Sequence, residues 1–453
     1  MLQFLVKEFG AFLFYCVLAG KNVTMKHSLF IAVMLAAVSG CGFLDTGNTR
    51  FNTPRSGTIL PEPARDIPGK DIPGSSAADT SVFLTAVEFD ASYFWQRDTA
   101  GESEPFKLCV YRDMEKIFSI PGGPGTIVTY APDMHRYIDG HLYTDYCTSA
   151  ETIIGKDGQE LFRYKGREMI CGFLVKDGTV YTLGQNRGGP GVYLRSNGET
   201  LFSESEGFIM GSISDQCSPG GALYEDGGNM YFSYQVPSKR LAEQRPSLFL
   251  VENEIASEVK CNVDIPKVSD VRLIGGTIYV SGYSDGYNPY AIMVAGGEVK
   301  RFPAGSGCQI AGVRPLWSGR ELYLRADFSA DRWASTSAAL WDNDGKRMAY
   351  SGNVKVYDYY VEGDSYAYAG TDMASGTTFT RNVQDDENIS GCSLPGRYSL
   401  MDPGCAVLSG GTFYVGLTPY GKGEYPVLVK NSTPSELKIN GFISSVSVSA
   451  PGK

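Results

Sequence analysis

A glycine-containing turn followed by an apolar residue and then a tyrosine recurs along this chain every 40 to 50 residues or so, a period that belongs to stacked or ringed repeats. The copies are DGHLY ending at Tyr143, DGTVY at Tyr181, GGNMY at Tyr231, GGTIY at Tyr279, GRELY at Tyr323, GDSYAY at Tyr368 and GGTFY at Tyr414. Asp90-Ala91-Ser92-Tyr93-Phe94 supplies a weaker eighth copy one period upstream. Roughly twenty residues beyond most of these tyrosines stands a second turn between short apolar runs, at Arg112-Asp113, Asp157-Gly158, Asn197-Gly198, Gly296-Gly297 and Asp344-Gly345. Each unit therefore reads as strand, turn, strand, longer loop, strand, turn, strand.

Tyrosine and β-branched residues favour a pleated surface, and Asp-Gly or Gly-Gly supplies the positive φ that tight hairpins need. No stretch of this region carries a sustained helical period. The expectation is an all-β fold, a β-propeller of about eight four-stranded blades over residues 79–453. Seven blades remain open if the first and last copies share one, because Ser444-Ser445-Val446-Ser447-Val448-Ser449 reads as a lone strand able to close the ring. A β-helix or a pair of sandwiches would also repeat in this way.

Two phrases, IGGTIYVSG and DGTVYTLG, resemble the inner hairpin of kelch repeats, although the kelch double glycine after the tyrosine strand and the later tryptophan are missing. KDGQELFRYKG and NDGKRMAYSG resemble the strand pair of quinoprotein-type repeats, a motif also used by an eight-bladed lipoprotein scaffold of outer-membrane protein assembly. Where those repeats usually carry tryptophan this chain has Phe162 and Ala349. The resemblance implies a propeller and no particular activity.

The N-terminal forty residues differ from everything after them. Met25-Lys26-His27 precedes the apolar run Ser28 to Ala37, which ends in Val38-Ser39-Gly40-Cys41. A short charged start, a brief apolar stretch and small residues at a cleavage point make an export signal over residues 1–40, with Met25 the better initiator. The tetrad ending at Cys41 resembles the lipobox of bacterial lipoproteins, which implies that Cys41 is acylated and becomes the mature N-terminus. Each buried methylene contributes about 0.8 kcal/mol, so two or three chains anchor durably where one does not. Residues 41–78 hold Pro54, Pro61, Pro63, Pro68 and Pro73 with few large apolar side chains, the composition of a tether. Gly42 after the cysteine lacks the aspartate that resembles an inner-membrane retention signal, so an outer-membrane location in the cell envelope, facing periplasm or surface, is expected.

A net charge of −10 disfavours nucleic acid as a partner. Setting aside Cys16 and Cys41, the remaining eight cysteines are even in number, as in a disulfide framework of an exported protein, and Cys392 with Cys405 is the pair the spacing favours. Only His135 and His141 lie in the domain, and His141 is expected to be a hydrogen-bonded packing residue. Hydrolase, metalloprotease and phosphate-loop motifs are missing, so no catalytic residue, metal site or cofactor is expected.

Binding is the better expectation, through the variable aromatic loops after the tyrosine strands. Asn186, Arg187, Tyr283, Tyr287, Tyr290 and Trp333 are the candidate ligand-binding residues, for an envelope protein or a glycan, on a monomer. The competing expectation is a glycan-active or lactone-active propeller enzyme working with carboxylates brought together at the axis.

Overall fold

The computed structural model of the chain describes residues 80–89, 106–123, 135–210, 222–238, 245–284, 288–304, 309–318, 321–329, 337–342, 345, 347–350, 354–384, 388–401, 403–420 and 424–449. These residues form eight antiparallel sheets, each one blade of a β-propeller. Blade 1 joins Val82–Phe89, Phe106–Arg112 and Glu115–Gly122 to the C-terminal strand Gly441–Val448. Blade 2 is His135–Ile138, His141–Cys147, Glu151–Lys156 and Gln159–Lys165; blade 3 is Glu168–Lys176, Thr179–Asn186, Val192–Ser196 and Glu199–Glu204. Blades 5 and 6 follow the same plan from Lys267–Ile274 and from Gln309–Ser318. Blades 4, 7 and 8 do so with one of the four positions split into two short pieces. Among the described residues the helical content is one turn of 3-10 helix, Pro403–Cys405.

The ring has eight blades even though the first and last segments do share one. Sequence order makes Gly441–Val448 the first strand of blade 1, while residues 82–122 supply its other three. That arrangement explains why the eighth copy of the repeat is hard to read. The turn that precedes the tyrosine strand elsewhere is missing in blade 1, because its neighbouring strand comes from the other end of the chain.

Each blade uses the same local chemistry. The turns between first and second strands, such as Asp139-Gly140, Asp177-Gly178 and Gly275-Gly276, hold both residues at positive φ, the tight hairpin geometry that matches sheet twist. In the turn between third and fourth strands the first residue has a further task. The carboxylate or amide oxygen of Asp113, Asp157, Asn197, Asn253 and Asn431 accepts the N–H of Val82, Leu142, Val180, Met230 and Phe413, at 2.8–3.0 Å. The N–H of each turn residue in return donates to the carbonyl of that same strand residue. One Asx side chain thus ties the outer hairpin to the second strand.

This clamp sets the register of the repeat and places Phe83, not Tyr93, in the signature position of blade 1; Tyr93 lies outside the described residues. The signature rings pack onto the following blade. Phe83 stacks on Tyr137 at 4.8 Å, Tyr143 meets Phe173 at 5.4 Å, and Tyr279 meets Trp317 edge-on at 5.3 Å. Tyr323 donates its hydroxyl to the Gly363 carbonyl of blade 7 at 2.8 Å. A second contact repeats at the periphery, where Phe118, Phe162 and Phe302 of the fourth strands lie against Gly158, Gly198 and Gly345 in the next blade's turn. A Cβ at Gly158 or Gly198 would stand 3.0–3.1 Å from the ring. The core is accordingly a set of seams between blades, such as the cluster of Ile310, Trp317, Leu324 and Trp341 with Ala291 and Met293.

Candidate functional site at the loop-bearing end of the ring

Antiparallel order fixes which connections share an end. First-to-second and third-to-fourth strand turns, short and conformationally saturated, lie at one end. Second-to-third connections and the links between blades lie at the other, and they include the stretches 90–105, 237–246 and 330–336. The candidate residues of blades 3 and 5 belong to this second end.

Asn186 closes the second strand of blade 3 and donates its side-chain amide to the Pro190 carbonyl at 2.9 Å and to Tyr193 Oη at 3.4 Å, holding its own loop. Arg187 follows, its N–H donating to the Arg167 carbonyl at 2.9 Å and its guanidinium acting on the Cys147 thiol of blade 2. Burial raises that thiol while Arg187 opposes the shift. Tyr283 and Tyr290 sit on the same hairpin of blade 5 but on opposite faces, because Tyr283 pairs with Ala291 and Tyr290 with Ser284. Tyr283 donates to the Ala311 carbonyl of blade 6 at 3.2 Å, whereas Tyr290 packs in the cluster of Met210, Leu248 and Ile292. These two rings therefore do not form one aromatic platform. Tyr287 and Trp333 lie outside the described residues, as do Cys41, the signal segment and the tether.

Charged groups that sequence reasoning missed lie between the inner strands. Glu168, first residue of blade 3, pairs with Arg195 at 2.6 Å, and the Arg195 guanidinium lies 4.2 Å from the Tyr164 ring centroid of blade 2. Burial holds the Glu168 carboxyl above its usual range against the pull of Arg195. In blades 3, 5, 6 and 7 the first strand carries a β-bulge, and Asp270 and Asp358 are the residues just past it in blades 5 and 7. Each accepts the next residue's N–H, at 2.8 and 2.7 Å. Asp358, fully buried, also binds Arg314 and Arg325 of blade 6, and Arg325 binds Asp327 at 2.8 Å. Asp270 receives Ser233 of blade 4 at 3.3 Å, and burial raises its carboxyl. Arg272 lies against the rings of Tyr224 and Trp317, at 4.5 and 5.3 Å, from the blades on either side. No residue spacing announces these pairs, since bulges are not marked in the sequence, Glu168 and Arg195 meet only through the folding of their blade, and the Ser233 partner of Asp270 and the arginine partners of Asp358 lie one blade away.

His141 is hydrogen-bonded as expected, with Nδ1 2.7 Å from an Asp157 carboxylate oxygen, and its side chain is 44% exposed. The expected Cys392–Cys405 bridge is corrected. None of the six described cysteines forms a disulfide, and these two thiols face different strands. Cys392 lies 3.5 Å from Thr380 Oγ1 in blade 7, while Cys405 is buried beside the closing strand and donates to the Ile443 carbonyl at 3.3 Å.

No protein-family model matches the sequence, and no curated protein matches it. Among solved structures, a chain from a study of two prolyl endopeptidases aligns at a TM-score of 0.43 and 10% identity, over 71% of this chain and 50% of that one. This chain thus spans about half the length of that neighbour. The β-propeller domain of the Trilobed protease from Pyrococcus furiosus aligns at a TM-score of 0.41 and 10% identity, over 68% and 91%. A eukaryotic initiation factor aligns at 0.41 and 10%, over 82% and 98%. The propeller assignment rests on the strand order described above.

Proposed function

We propose that the chain is an exported lipoprotein, anchored through a lipid on Cys41, whose propeller is a non-enzymatic binding or scaffold module working through its loop-bearing end. The observation that carries this reading is the division of labour between the two ends. One end is built of two-residue turns clamped by Asx side chains and cross-linked between blades, as where Glu362 accepts the N–H groups of Gly410 and Gly411 at 2.9 Å. The other bears the long second-to-third connections 90–105, 237–246 and 330–336 on a ring held together by its seams, the arrangement in which loops carry recognition. The buried acids Glu168, Asp270 and Asp358 are engaged by arginines, serine or backbone N–H groups between blades, which suits a structural role for them better than acid-base work.

Affinity purification of the tagged full chain from its native envelope, with mass spectrometry of bait and co-purifying species, tests both halves. Acyl mass on a mature N-terminal Cys41 and stoichiometric partner proteins are expected. An intact N-terminus would overturn the anchor, and turnover of a glycan or lactone by the purified chain would overturn the non-enzymatic role.

A further inference from the structure

At the loop-bearing end, the seam between blades 7 and 8 gathers an exposed aromatic ring and two exposed cations that the folding devices above do not use. Tyr420, the first residue of the second-to-third strand connection of blade 8, is 62% exposed, the largest exposure of any described tyrosine. Its N–H donates to the carbonyl of Arg397 at 2.9 Å, which fixes the two residues side by side. Arg397 is exposed, and its Nε lies close enough to the blade 7 loop to stand 3.2 Å from a Cβ placed on Gly376. Lys355, exposed on the first strand of blade 7, holds its ammonium 5.7 Å from the centroid of the Tyr357 ring.

Tyr357 is the hub of the cluster. Its hydroxyl contacts the Tyr398 carbonyl of blade 8 and Thr371 of its own blade, so the seam is pinned beneath the exposed groups. Burial raises its hydroxyl, with Tyr420 adding to that shift and Arg397 opposing it. Two carboxylates flank the group: Glu424, whose oxygens would stand 3.6 and 3.9 Å from a Cβ on Gly396, and Asp372, which opens the Gly376 loop and is held by the N–H groups of Ala374 and Ser375 at 2.8 and 3.4 Å.

An exposed ring beside a guanidinium matches a sugar that carries a carboxylate: the ring supports the apolar face of the pyranose, and the planar guanidinium fork donates two parallel hydrogen bonds to the carboxylate. We infer that the Tyr420–Arg397–Lys355 cluster at the blade 7–8 seam is a binding subsite for an acidic saccharide bearing uronic acid units. The inference rests on reading this end of the ring as a recognition face, and it names the ligand class of that face. An acidic peptide would use the two cations but not the ring.

The test titrates the purified full chain with oligogalacturonate, with a neutral glucan of the same length and with oligoglutamate, and repeats the titrations on Tyr420→Ala and Arg397→Ala. Oligogalacturonate is expected to bind saturably, to weaken as salt rises, and to bind at least tenfold less tightly to either variant, with the neutral glucan not binding. Unchanged thermal midpoints show that both variants fold; Arg397→Lys, which keeps the charge but not the fork, should recover less than half of the lost affinity in free-energy terms. The inference is overturned by absent or variant-insensitive uronate binding, or by oligoglutamate binding as tightly as uronate and equally well to Tyr420→Ala. Partner capture from the envelope, run in parallel on the same variants, separates the two readings: capture retained while uronate binding fails rejects the subsite and leaves the scaffold role standing.

Discussion

The residues that matter most for stability are small polar ones at turns. Asn197 holds a positive φ and accepts the N–H of Val180, a 2% exposed residue of the strand beside it. Alanine there loses the acceptor and meets the left-handed conformation without asparagine's tolerance for it. Asn197→Ala is expected to lower unfolding free energy by about 1–3 kcal/mol, read as a shift of the urea midpoint at unchanged m-value. Glu254 makes the opposite case. It stands at φ +79 in the exposed turn of blade 4, where blades 2 and 3 use glycine. The left-handed conformation costs an ordinary residue about 1–2 kcal/mol, and glycine's extra freedom in the unfolded chain returns about 0.4–1 of it. Glu254→Gly should therefore stabilise by about half a kcal/mol or somewhat more, and a lower urea midpoint would show that the turn is not strained. At Cys392 and Cys405 the geometry makes a chemical prediction: both should alkylate when the chain is unfolded without reductant, and a peptide pair that stays linked would contradict it.

At the scale of strands and seams, legibility divides by the kind of signal involved. Tyrosines after glycine turns are local and periodic, so four-strand units and the all-β fold could be read directly. The bulge that positions Asp270 and Asp358, and the pairing of Asp358 with arginines of the preceding blade, depend on register, which no run of residues announces. The site suffered for the same reason: Tyr283 and Tyr290 look like neighbours in YSDGYNPY, but strand pleat sends them to different seams. Tyr420 and Arg397 come together only across the ends of two strands, so the sequence gives no hint of them as a pair. The buried ion cluster carries its own prediction. Asp358 is surrounded by Arg314 and Arg325, and removing the acid alone leaves two buried cations facing each other. Asp358→Ala is expected to cost about 3–5 kcal/mol, against a much smaller loss when Asp358, Arg314 and Arg325 are all replaced by apolar residues of similar volume. Equal losses for the single and the triple replacement would mean that the cluster is not the seam's electrostatic lock.

For the whole molecule, everything depends on closing the ring. Gly441–Val448 pairs with Val82–Phe89, and the two ends of the domain are knit further by Ser81 N–H donating to Ser449 Oγ at 2.7 Å and by Asn440 donating its side-chain amide to the Phe89 carbonyl at 3.2 Å. The approach is close enough that a Cβ on Gly441 would fall 1.7 Å from the Val87 carbonyl oxygen, so glycine is required there for contact rather than for turn geometry. Phe442, Ile443 and Val446 enter the core from this strand, each at most 6% exposed. Burial of such side chains contributes about 1.5–3 kcal/mol apiece, and together they approach the whole net stability of a typical domain, about 5–15 kcal/mol. Without them the strand Val82–Phe89 also presents an unpaired apolar edge, a template for association between chains. A chain ending at Asn440 is therefore expected to lose its single cooperative thermal transition and to elute as oligomers. Adding the peptide 440–449 in trans should restore the missing strand and return the protein to the elution position of the full chain. A truncated chain that elutes as the full chain does, with an unchanged midpoint, would show that seven blades hold themselves together and that the closing strand is dispensable.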